Sequence, residues 1–162
     1  MSCRVGNGFD AHRLGPGRPL VLGGVTIPHD QGLIGHSDGD CVTHALCDAL
    51  LGAAACGDMG EHFPSADPAF RGAASLGFLE RVVQMVTDKG FAIENVDVTV
   101  IAQEPVLGPH LPAMRRRLAE LLALPLDRVS VKAKSADHLG AIGRGEGIAA
   151  LATVLVKGPD VA

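Results

Sequence analysis

Asp10 and His12 stand two residues apart in "GFDAHR", and residues i and i+2 of an extended segment project to the same side. One carboxylate oxygen and one imidazole can therefore converge on a point, which suits a divalent metal that accepts N and O donors. Taken alone, the pair is explained more simply as a polar strand end. His44 supplies a third donor, in the first turns of a helical stretch behind "HSDGD". Three such ligands leave the fourth tetrahedral position open, as in a catalytic rather than a structural zinc site. Asp48 shares a helix face with His44 and either orients its imidazole or is a plain surface charge. Asp38 and Asp40 are rival donors, but their place ahead of the helix favours capping, with Ser37 or Asp38 as the N-cap. His36 and Ser37 lie at the same helix entrance, where backbone N–H groups, an imidazole and a hydroxyl make a phosphate seat.

A second cluster, "KAKSADHLGAIGRGEG" at 132–147, follows a strand and gathers Lys132, Lys134, Ser135, Asp137 and Arg144. Its glycines let backbone approach a ligand closely. It is neither a Walker A loop nor a GxGxxG element. Cations, a hydroxyl and a carboxylate together suit a metal-bound polyphosphate; in isolation the segment reads as a flexible polar loop. His29, His62, His110 and His138 have no assignable partner and read as surface residues.

The elements that must position these groups follow from hydrophobic period. Residues 3–9 read as a first strand, and 19–28 as two short β runs joined by Gly23-Gly24. Residues 32–41 read as a glycine-rich loop, 40–56 as a helix, and 57–70 as a long connection of turn composition. Leu76, Leu79, Val82, Val83 and Val86 follow helical spacing up to Gly90. A strand over 95–103, a helix over 109–123 and strands over 127–134 and 147–157 complete the chain, the last apolar on both faces and so buried on both. This order predicts an α+β sandwich, a mixed four-stranded sheet with helices on one face plus a small β-hairpin.

Composition narrows the function classes. A length of 162 residues fits one domain, 1–162. Charged residues make up 20%, below the roughly 25% usual for soluble domains, which hints at surface hidden in an oligomer. A net charge of −4 without a basic block, and no Trp or Tyr for base stacking, argue against nucleic acid as a partner. No signal-type apolar region and no run of about 18 apolar residues occurs, so a cytoplasmic protein without a membrane partner is expected. Cys3, Cys41, Cys47 and Cys56 form no CxxC pair and read as reduced thiols.

The segments "GFDAHR", "HSDGDCVTHALCDALLGAAACGDMG", "FPSAD", "NVDVTVIAQEP" and "GRGEGI" resemble, in this order, the 2-C-methyl-D-erythritol 2,4-cyclodiphosphate synthase family of the non-mevalonate isoprenoid pathway. The resemblance covers nearly the whole chain. It implies a homotrimer with active sites between subunits, converting 4-diphosphocytidyl-2-C-methyl-D-erythritol 2-phosphate to the 2,4-cyclodiphosphate with release of CMP. It implies Zn²⁺ on Asp10, His12 and His44, and catalytic roles for His36, with Ser37 beside it, and for Ser135. Asp137 would hold a second ion, Mg²⁺ or Mn²⁺, with the substrate diphosphate. Asp58, Met59 and Gly60 would meet the ribose, and Phe63, Pro64, Ser65, Ala66 and Asp67 the methylerythritol phosphate. Ala102, Gln103, Glu104, Pro105, Val106, Leu107 and Gly108, with Lys134 and Ala136, would form the cytosine and diphosphate pocket; Ala141 would wall it and Arg144 would contact phosphate. The chain departs from the family at Ser135 and Asp137, where Thr and Glu are usual, at Val106, where Lys is frequent, and at Ala141, where Phe is common.

Overall fold

The computed structural model describes residues 2–159. Its centre is a five-stranded sheet of order β4-β1-β7-β5-β6. β1 (Ser2–Gly15) runs antiparallel to β7 (Gly147–Gly158) along its length, from Ser2 opposite Gly158 to Arg13 opposite Gly147. β7 pairs antiparallel with β5 (Ala92–Ile101), which pairs in parallel with β6 (Val129–Lys134). The expected hairpin is β2 (Leu20–Leu22) and β3 (Val25–Ile27), a separate two-stranded sheet. The expected four strands become five because β4 (Gly32–Ile34), inside the predicted glycine-rich loop, pairs with the far end of β1. Three residues with two glycines' worth of turn signal around them carry no strand pattern; the long run-on of β1 past residue 9 gives them a partner.

Helices α1 (Cys41–Ala53), α3 (Ser75–Asp88) and α4 (Leu111–Leu122) cover one face of the sheet. Two short helices, α2 (Met59–His62) and α5 (Gly140–Gly143), sit in segments that read as loops. In α1 every residue is buried except His44, Asp48 and Gly52, spaced by four along one stripe. Its Leu46, Leu50 and Leu51 are fully covered, each contributing roughly 1.5–3 kcal/mol of burial. The N-cap of α1 is Asp40, not Ser37 or Asp38: its carboxylate accepts from the N–H groups of Thr43, Gly23 and Gly24 and from the Thr43 hydroxyl. That carboxylate ties the hairpin to the helix start. β7 is not buried on both faces, since Leu151 and Thr153 are exposed. The uncovered sheet face also carries Val5 at 67% and Phe9 at 60% exposure.

Candidate metal centre and active site

β1 and α1 touch backbone to backbone. A Cβ at Gly6 would lie 1.9 Å from the Ala49 carbonyl oxygen, and one at Gly8 2.0 Å from that of Ala45. This close seam brings His44, on the open stripe of α1, against Asp10 and His12 on β1. The donor atoms of the three residues lie within 4.8 Å of one another. Asp10 Oδ2 is 2.9 Å from His12 Nδ1 and 3.0 Å from His44 Nδ1. His12 Nδ1 is buried, yet it makes no hydrogen bond of acceptable direction, even to the Asp10 oxygen beside it. Buried ring nitrogens are seldom left so. Two ring nitrogens converging on one carboxylate oxygen, one of them left without a hydrogen bond, fit a shared cation, and two nitrogens with one oxygen are donors a Zn²⁺-type ion takes.

Burial works to raise the Asp10 carboxyl, but the close polar contacts and charge of His12 and His44 outweigh it and bring its pKa from 3.8 to about 2. For His44 burial acts downward, while the Asp10 hydrogen bond and the charges of Asp10, Asp40 and Asp38 carry the imidazole above its ordinary 6.5. In metal-free protein the stabilisation from a depressed Asp10 is present above pH 3.8 and lost as pH falls toward about 2. That from a raised His44 is present below 6.5 and lost as pH rises through its higher folded pKa. Thermal melts in excess chelator should therefore show the pair's contribution between those limits, and Asp10→Asn should flatten both flanks; an unchanged Tm–pH profile in that variant contradicts the pairing.

The far nitrogen of His44 is also held. Nε2 lies 2.8 Å from Ser75 Oγ and 3.2 Å from Ser37 Oγ. With Nδ1 turned to the metal point, Nε2 carries the proton and donates to Ser75, whose hydroxyl donates in turn to Asp38 Oδ1. The Ser75 N–H fixes the other Asp38 oxygen at 2.9 Å. Asp48 does not orient His44; it accepts the Met59 N–H at 2.8 Å and anchors α2. Its pKa is raised by burial, with the charges of Asp58 and Asp10 adding to it. Ser75→Ala should weaken metal affinity about 10–100-fold with all three ligands intact, read by competition with a chromophoric chelator. Wild-type affinity in that variant contradicts the relay.

The triad opens into a cleft of about 190 Å³ lined by His12, His36, Ser37 and His44, with Met59, Phe63, Ser65, Phe70 and Phe78 opposite. Phe63 stacks on Phe78 at 4.7 Å, and Phe70 meets both rings edge-on. Met59, Phe63 and Ser65 were legible in the sequence, but Phe78 beside Leu79 and Val82 looks like ordinary core, Phe70 falls in a stretch of turn composition and Ser75 shows no signal ahead of that helix. Asp58 caps α2 through the Glu61 N–H, with Gly60 in its first turn. Asp67 accepts the Ala69 N–H, and Pro64, Ser65 and Ala66 are exposed ahead of it.

The later residues form a different concavity, about 280 Å³, lined by Ala102, Gln103, Pro105, Val106, Leu107 and Gly108 on one side and Lys134 and Ser135 on the other. Glu104 adjoins it without lining it. Ala102 and Leu107 are themselves buried, whereas Val106 is 79% exposed. The Ala136–Leu139 turn closes through the Leu139 N–H to the Ala136 carbonyl, and His138 is fixed by its N–H to Gln103 Oε1 at 3.1 Å. His62 likewise has a partner, the Cys56 carbonyl at 2.6 Å. Asp137 is exposed, in left-handed backbone at φ 50°. Arg144 pairs with Glu146 at 2.6 Å, and Ala141 lines a separate concavity with Ala11, His12, Arg13 and Glu146 rather than the 102–108 pocket. Among the described residues none lines both the metal cleft and the 102–108 pocket.

An α+β sandwich that sets two imidazoles at an open cleft, with a carboxylate beside them, has the arrangement of a candidate metal-site protein. A model of the YgbB family matches residues 3–157, and the chain belongs to that family. Over 156 residues it is 57% identical to the 2-C-methyl-D-erythritol 2,4-cyclodiphosphate synthase of Burkholderia mallei, covering 96% of each chain. Among solved structures it matches the bifunctional IspDF of Campylobacter jejuni with a TM-score of 0.94 and 44% identity, over 98% of this chain and 43% of that longer one. It also matches a 2C-methyl-D-erythritol-2,4-cyclodiphosphate synthase in its CDP-bound form, with a TM-score of 0.88 and 40% identity, over 95% of this chain and all 100% of the other.

Proposed function

We propose that this protein is a phosphorus–oxygen lyase that converts 4-diphosphocytidyl-2-C-methyl-D-erythritol 2-phosphate to 2-C-methyl-D-erythritol 2,4-cyclodiphosphate and CMP. The observation that carries the reading is the convergent Asp10–His12–His44 set, in a chain 57% identical to a synthase of that name. An oxygen of the 2-phosphate attacks the β-phosphorus, the bond from that phosphorus to the bridging oxygen breaks, and CMP leaves with that oxygen. The attacking group is already anionic near neutral pH, so no strong general base is needed; among the described residues no carboxylate lines the cleft. The protein's task is positioning and charge neutralisation. Asp10, His12 and His44 would hold Zn²⁺, and Asp137 a Mg²⁺ or Mn²⁺ ion; bound there, the ions supply Lewis acidity and neutralise phosphate charge. His36 and Ser37 donate to phosphate oxygens at the cleft, while Lys134, Ser135 and Arg144 act on the diphosphate. Asp58 and Gly60 meet the ribose, and the Phe63–Asp67 run borders the methylerythritol phosphate.

The substrate is nucleotide-sized, and both cavities fall below the roughly 300 Å³ at which ligand pockets begin. Two half-sites with no shared lining, together with a bare sheet face bearing Val5, Phe9 and Leu151, support a homotrimer whose sites join the two pockets from neighbouring subunits. Each chain would contribute one domain, 1–162. No helix of the described residues is long and apolar enough to cross a membrane, and a cytoplasmic location suits the phosphorylated substrate. Incubation with the CDP-linked substrate, with and without chelator, tests the reading by mass spectrometry. Cyclic diphosphate and CMP in equal amounts, lost on chelation, is the expected result; a linear hydrolysed product, or none, contradicts it.

A further inference from the structure

The geometry points to Arg18 as a positioning residue for the reaction proposed above: its guanidinium sets the Gly35–Ser37 backbone so that His36 and Ser37 face the phosphates. Arg18 lies half-buried in the turn between β1 and β2, six residues after His12. One end nitrogen of its fork donates to the Gly35 carbonyl at 2.6 Å, and the other to the Ser37 carbonyl. The carbonyl between them, of His36, accepts the Gly72 N–H at 2.7 Å, and the Asp38 N–H donates to the Ala73 carbonyl at 3.0 Å. Four consecutive residues are thus held from outside their own loop. A planar fork can span two carbonyls that flank one residue; an ammonium on a flexible stem cannot.

Arg18 makes no ion pair with a carboxylate among the described residues, so its hydrogen bonds are not a by-product of a salt bridge. The loop it grips also presses on the metal ligand, since a Cβ at Gly35 would lie 2.9 Å from the His12 ring. Pinning this backbone leaves the His36 imidazole exposed at the cleft, with no hydrogen bond from its side chain to any described residue. A group fixed at its backbone and unpartnered at its tip is ready to meet a ligand.

The test compares Arg18→Ala and Arg18→Lys with wild type for metal content, kcat, KM and the effect of millimolar methylguanidinium. Loss of positioning lowers kcat on the order of 10–100-fold. The expected result is that loss in Arg18→Ala at wild-type metal content, with partial recovery in methylguanidinium and none in equal ammonium. Arg18→Lys should remain impaired. Wild-type kcat in either variant, or a loss that follows metal content and ignores methylguanidinium, overturns the assignment. If Arg18→Ala does not fold, Arg18→Lys carries the kcat comparison by the same criteria. A wild-type protein inert on the CDP-linked substrate refutes the proposed function instead; the Arg18 assignment is then read from a crystal structure of Arg18→Lys, where an unmoved 35–37 backbone overturns it.

Discussion

His44→Ala is expected to empty the metal centre and lower turnover by about 10³-fold. The imidazole is one of three converging donors among the described residues, and its Nδ1 lies 3.0 Å from Asp10 Oδ2. The substitution also strips the proton donor from Ser75 and ends the chain to Asp38. If a bound ion contributes roughly 4 kcal/mol of charge stabilisation in the transition state, its loss corresponds to about 10³ in rate. Metal analysis by mass spectrometry and CMP release by chromatography read the two effects separately. Full turnover in metal-free His44→Ala protein contradicts the centre. His44→Gln, closer in size, separates loss of a ligand from loss of packing: it should remain folded and metal-poor.

Gly8→Ala is expected to cost about 3 kcal/mol or more, because the atoms it meets are backbone and cannot turn aside. The added carbon would stand 2.0 Å from the Ala45 carbonyl oxygen and 2.8 Å from the Ala49 nitrogen. Only a shift of α1 away from β1 relieves this, and that shift carries His44 away from Asp10. For a chain of this size the Tm should fall by about 10 °C, with weaker metal binding alongside. Gly52→Ala is the control: it is exposed on the same helix, and its nearest neighbour would be the Asn7 carbonyl oxygen at 4.0 Å. That variant should bind metal normally and gain up to about 1 kcal/mol from helix propensity. A Gly8→Ala protein with wild-type Tm contradicts the backbone contact as the device that aligns the centre.

Asp10 and His12 were legible because a two-residue period belongs to any extended chain, and His44 because an Ala/Leu-rich run with polar residues ahead of it reads as a capped helix. The YgbB family membership agrees with the resemblance carried by those same motifs. What supports the triad was less visible. Gly6 and Gly8 look like breaks in a strand pattern, and only the packed helix gives their missing side chains a meaning. Ser75 and Asp38 lie 37 residues apart and meet through tertiary folding alone. Phe78 is core-like by spacing and Phe70 falls in a stretch of turn composition, yet both line the cleft. β4 is too short for a period to register and exists because β1 runs on to Gly15. Local chemistry is thus written in neighbouring residues, whereas the shell that aims it is a product of packing.

The most direct measurement is anomalous diffraction at the zinc absorption edge, from crystals of protein purified without chelator. One peak per chain is expected, within bonding distance of Asp10 Oδ2, His12 Nδ1 and His44 Nδ1, and none in His44→Ala. Those three atoms with no peak between them, or an ion held by other residues, would contradict it.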